Sequence, residues 1–279
     1  MNTETLTTGL SSELKNQNLT AQIGNLFDSN GRLTPTPSDI VFSQKSRRYF
    51  KLTQPILNYS QIYSNIKTYM NIGTLTETEF KEKAEALLKE VQIDPVMCGL
   101  LNGVHMPFIC PQTIPGGDLG MELDEVLLTA VGKSFSEKFP EYNFNNYYKG
   151  QLTGKMTVLP ESRYEKLLEK RKSGPVVGWY FADCLQEYAI PSQRTVMSRI
   201  PERFILSGPL EVAAAQVGIP DLLIKKDNVY PPLLSLTAVK PEVENFFYFF
   251  EAYSWNLTFN RRSFTGAVSE NFTGGLTLI

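Results

Sequence analysis

Pro241-Glu242-Val243-Glu244-Asn245-Phe246-Phe247-Tyr248-Phe249-Phe250-Glu251-Ala252-Tyr253-Ser254-Trp255 holds five consecutive aromatic residues, with Tyr253 and Trp255 close behind. A run this apolar is buried wherever it sits, because each ring removes a large area from water. Its secondary structure decides how much of the fold is sheet. Proline at the start suits the first turn of a helix, and an uninterrupted apolar run lacks the alternation of a half-buried strand. The stretch is therefore predicted to be a buried helix.

Upstream, Thr76-Glu77-Thr78-Glu79 has the spacing of a capping box, with Thr76 and Glu79 each satisfying the other's backbone donor. Phe80, Ala84, Leu87, Leu88 and Val91 form the apolar stripe behind it, and Pro95 stops the helix. Helices are also predicted from Pro55 to Gly73, from Met121 to Phe139, from Ser162 to Lys172 and from Leu210 to Val217. Pro175 to Ile190 reads as a buried helix with a valine-rich start that also suits a strand. Tyr142 to Leu159 and the tail after Asn256 alternate and fit short strands. Asp39 to Leu52 reads as extended. The fold class expected is α+β, a helix-rich single domain over residues 39–279. Residues 1–38 are expected to form an N-terminal arm and linker, mobile or packed on a partner, with Leu10, Leu14, Leu19, Ile23 and Leu26 as one marginal amphipathic helix.

Composition narrows the function. The formal net charge of -2 comes from interspersed signs, which is no footprint for nucleic acid. No apolar run reaches the length of a membrane span. The polar start, without a basic and apolar leader, and the three sparse cysteines (Cys98, Cys110 and Cys184) point to a cytoplasmic protein with reduced thiols. Thirteen tyrosines and seventeen phenylalanines provide rings for a core or for an organic-ligand pocket.

The chain holds one histidine, His105. That excludes intramolecular sites built on two or three histidines. Gly-x-Ser-x-Gly and Gly-x-Gly-x-x-Gly are absent, and Gly132-Lys133-Ser134 lacks the leading glycine of a phosphate-binding loop. A zinc site from Cys98, His105, Cys110 and Cys184 has no pair at knuckle spacing. Neither a metal nor a cofactor is expected.

What remains is acid–base chemistry. His105 is the candidate catalytic group, because an imidazole titrates near neutrality when a carboxylate orients it. Asp118 or Glu122 is the candidate orienter. The turn at Gly116 and Gly117, before the helix opening near Met121, offers backbone donors to an anion or oxyanion. Arg48, in Arg47-Arg48-Tyr49, and Arg262, in Asn260-Arg261-Arg262, are candidate carboxylate anchors. The sequence thus predicts an enzyme of lyase, isomerase or cyclase type, acting without metal on a small organic molecule, acidic ones included, in an aromatic-lined pocket. Two alternatives stand beside it: a non-catalytic interaction or structural protein, with a homo-oligomer among its forms, and a haem protein ligated through His105.

Overall fold

The computed structural model describes residues 25–42, 49–225, 229–264 and 268–279. The expected helix through Leu10, Leu14, Leu19 and Ile23 lies outside them, as does Arg48. Residues 25–42 run along the domain: Phe27 bridges Leu33, Leu33 N donates to Cys184 O, and Val41 bridges Tyr188.

The fold is α+β, and its centre is a four-stranded antiparallel sheet. Its strands are β1 (His105–Cys110), β4 (Val176–Phe181), β5 (Phe204–Leu206) and β11 (Leu276–Leu278), in the order β1-β4-β11-β5. His105 stands opposite Phe181 and Cys110 opposite Val176; Leu276 faces Phe181 on one side and Leu206 on the other. Neighbouring residues of a strand point to opposite faces, so β4 serves two layers. Trp179 Nε1 donates to Ala84 O (2.7 Å) on helix α2 (Glu77–Ile93). Tyr180, next along the strand, is within the electrostatic influence of Glu211 on helix α7 (Pro209–Gly218), which packs against β1. The edge of β1 is closed by the amide of Gln54, which accepts from His105 N and donates to His105 O.

The second sheet has five strands: β2 (Phe144–Asn146), β6 (Leu233–Ser235), β8 (Phe246–Tyr253), β9 (Asn256–Ser263) and β10 (Phe272–Thr273), ordered β10-β6-β8-β9-β2. A two-stranded ladder joins β3 (Met156–Val158) to β7 (Val239–Pro241). The aromatic run 246–250 is therefore strand, not the helix its continuous apolarity suggests. The physical reason is that β8 is buried on both faces. Tyr248 and Phe250 enter the main core, while Phe247 and Phe249 enter a separate cluster with Ile190, Leu233 and Phe272. A strand covered on both faces has no polar side to alternate with. The same explanation corrects Pro175 to Ile190: Val176–Phe181 is the fully buried β4, and the following helix α6 is Ile190–Thr195.

The amphipathic helices match their sequence signals. Helix α1 is Tyr59–Tyr69, shorter than the expected Pro55–Gly73 because Asn58 and not Pro55 opens it, and α2 begins on the Thr76–Glu79 capping box. Residues 119–138 run end to end as α3 (Leu119–Glu122), a π-helical turn (Leu123–Leu127) and α4 (Leu128–Lys138). The π-helical turn directs Asp124 to one side, where its buried carboxylate accepts from Gly150 N (2.6 Å), Gln151 N (3.1 Å) and Asn146 Nδ2 (3.1 Å). Helix α5 is Glu165–Lys172. Among the described residues, no helix is long and apolar enough to cross a membrane.

Helix α3 starts against the chain at Leu152. A Cβ built on Gly120 would lie 1.8 Å from Leu152 O. Gly120→Ala is therefore expected to destabilise the protein by about 2–3 kcal/mol, since the obstacle is backbone and must move. Urea denaturation of the variant measures it. A change below about 0.5 kcal/mol, the ordinary level for a harmless substitution, would show that α3 shifts freely.

Candidate ligand-binding site

The segment after β1 sets the site. Pro111 O and the following residues run alongside the end of α5: Thr113 N donates to Arg171 O (3.1 Å) and Gln112 Nε2 to Lys172 O (3.0 Å). A turn follows, closed by Gly117 N on Ile114 O (3.1 Å), with Gly116 at φ +77°, a conformation open to glycine without strain. Asp118 then caps α3 through Gly120 N (2.7 Å) and Met121 N (3.0 Å), and also holds Gly154 N (3.1 Å).

Between this segment, the π-helical turn and α5 lies a cavity of about 420 Å³. Pro111, Ile114, Pro115, Val126, Leu127 and Pro175 give it mainly proline and aliphatic walls. Asn71, Gln112 and Thr113 are its uncharged polar residues, and its charged feature is an ion pair: Arg171 Nη2 lies 2.6 Å from Glu122 Oε2, and their side chains are 1% and 4% exposed. Arg171 Nε donates to Pro111 O (2.7 Å), and Glu122 also accepts from Ile114 N (2.7 Å). These bonds leave Arg171 Nη1 with no hydrogen-bond partner among the described residues. Thr113, on the same wall, has a buried hydroxyl that is also unpartnered. Behind the pair, burial pushes the Cys110 thiol up, partly offset by the charge of Arg171.

The predicted site residues separate in space. Glu122 lines the cavity, and the Gly116–Gly117 turn adjoins its wall at Ile114 and Pro115. His105 is half-buried at the start of β1, with Nδ1 2.8 Å from Gly103 O. Its ring lies against Trp179 (5.6 Å between centroids) and Phe181 (6.2 Å). Burial lowers the imidazole pKa, opposed by the bond to Gly103. Its ring partner is thus a carbonyl, while Asp118 is occupied as a helix cap and Glu122 as the partner of Arg171. His105 does not line the Glu122–Arg171 cavity.

Arg262 is on β9 with its guanidinium over the Phe249 ring (5.1 Å). It lines a shallow depression of about 230 Å³ with Tyr147 and Tyr253, which shares no residue with the cavity at Glu122. Rings therefore edge that depression, whereas the cavity beside the ion pair has none. Among the described residues, no cluster of three His, Cys, Asp or Glu side chains has metal-binding geometry.

Arg171 is the site residue that sequence reasoning passed over. Glu165-Lys166-Leu167-Leu168-Glu169-Lys170-Arg171-Lys172 reads as a charged surface helix. Tyr164, Leu167 and Arg171 nevertheless recur at helical spacing, and all three are buried. A cation continuing an apolar stripe is the signal that identifies it. No protein-family model, curated protein or solved structure matches this chain.

Proposed function

We propose that this protein binds a small, largely apolar organic molecule in the cavity between the π-helical turn, α5 and the Pro111–Pro115 segment. The observation that carries this reading is a buried Glu122–Arg171 pair on the wall of a largely apolar cavity of about 420 Å³. That size falls in the range of small-molecule sites, which combine apolar walls with a few fixed polar groups. The adjoining π-helical turn adds support, because such turns occur frequently at functional sites.

The acid–base enzyme expected from the sequence rests on His105, which does not line this cavity. Glu122 is the member of that set with access to the cavity. Two donors already hold its carboxylate, which suits orienting a bound group better than abstracting a proton.

Ile114 is 38% exposed on the cavity wall, so Ile114→Trp fills the space without disturbing the core. A library of small aromatic and aliphatic compounds is screened by thermal shift on the wild type, Ile114→Trp and His105→Ala. Compounds that raise the wild-type melting temperature are expected to lose their effect in Ile114→Trp and keep it in His105→Ala, because stabilisation follows site occupancy. An effect lost in His105→Ala and kept in Ile114→Trp would return the site to the histidine. Compounds unaffected by Ile114→Trp, or no stabilising compound at all, would overturn the reading.

A further inference from the structure

Resting on that binding reading, we infer that the polar end of the ligand is an uncharged hydrogen-bond acceptor, a carbonyl or amide oxygen, received by Arg171 Nη1. Arg171 has donors only, so whatever it receives must be an acceptor. Its bonds to Pro111 O and Glu122 leave from Nε and Nη2, and Nη1 is the nitrogen left over.

The charge on the acceptor follows from the balance of the site. The guanidinium is already neutralised by Glu122 at 2.6 Å. A carboxylate arriving at Nη1 would bring a second negative charge beside Glu122, against proline and aliphatic walls whose other polar residues, Asn71, Gln112 and Thr113, carry no charge to offset it. Burying an uncompensated charge in such surroundings is costly. An anion site here would need another cation, and those of α5 are engaged elsewhere. Lys166 pairs with Glu202, Lys170 donates to Ile279 O, and Lys172 pairs with Glu169. An ammonium ligand would face the Arg171 charge instead. A neutral acceptor gains the hydrogen bond and adds no charge.

The test uses three probes on one scaffold: 3-phenylpropanamide, 3-phenylpropanoate and 3-phenylpropylammonium. Each is titrated near neutral pH into full-length protein with labelled Ile, Leu and Val methyl groups, and the signals of Ile114, Val126 and Leu127 are followed. The amide is expected to shift all three saturably, with the acid and the amine each at least about tenfold weaker, a difference of about 1.4 kcal/mol. Acid or amine binding as tightly as amide at these methyls would overturn the neutral-acceptor inference and leave the cavity reading standing. If none of the probes moves these methyls, the cavity reading itself fails. Glu122→Gln supplies a second arm: it keeps an acceptor for Ile114 N and leaves Arg171 unneutralised. In that variant the preference is expected to reverse toward 3-phenylpropanoate, and an unchanged order of affinities would contradict the charge argument.

Discussion

Replacing Arg171 by Met is expected to destabilise the protein by about 3–5 kcal/mol, the usual cost of leaving a buried charge without its partner. The carboxylate left behind is that of Glu122, 4% exposed, and Pro111 O loses its donor as well. Adding Glu122→Gln removes the stranded charge while preserving an acceptor for Ile114 N. The double variant is therefore expected to regain about 2 kcal/mol over Arg171→Met, a gain in the range of coupling between contacting residues. Urea denaturation followed by circular dichroism measures both steps. A single-variant cost below about 1 kcal/mol is the value of an exposed pair, and would show that this one is hydrated.

The second large effect is on pH dependence. Burial pushes the Glu211 carboxyl up to about 7, against the opposing hydrogen bonds from Gly208 N and Tyr164 Oη. Asp183, buried beside Val104 N, is likewise pushed up to about 6. Both folded-state values lie above those of the unfolded chain, so the folded state holds its protons longer. Below the unfolded values both states are protonated and the stabilising contribution is complete. As pH rises, the unfolded chain releases protons first, and stability is lost until the folded group has also titrated. For Glu211 that window runs from its ordinary value of 4.5 to about 7, and it costs about 3 kcal/mol in all at 1.36 kcal/mol per unit. Unfolding free energy is therefore expected to fall between about pH 4 and pH 7. Glu211→Gln is expected to flatten most of the fall, and Asp183→Asn the part below about pH 6. Stability that rises over this range in the wild type would contradict the assignment.

Both effects involve charges inside the core, and these were the least legible part of the sequence. The capping box, the amphipathic stripe of α2 and the helices ended by Pro140 and Gly218 follow local rules, so their positions could be read directly. The sequence reads as helix at β8 and as helix or strand at β4, because their burial is decided by what covers the second face, a tertiary fact absent from local periodicity. The site divides in the same way. Glu122 and the glycine turn were found because a helix start is a local signal. Arg171 was missed because the cue that buries it is one position on an apolar stripe within a lysine-rich helix. His105 drew attention as the single imidazole, and rarity says nothing of whether a ring is already bonded to Gly103 O.

The order of the central sheet bears on how the molecule reaches its folded state. Strand β11 lies between β4 and β5, although Phe181 and Leu276 are partners from distant parts of the chain. The sheet cannot grow in the order of synthesis. Strand β4 can pair with β1 early, but its other edge stays bare until residues 276–278 arrive. Such non-local closure slows folding, and an open, apolar strand edge invites pairing with another chain in the meantime. Self-association during refolding would therefore begin at β4, a strand that is fully covered once the native sheet is complete.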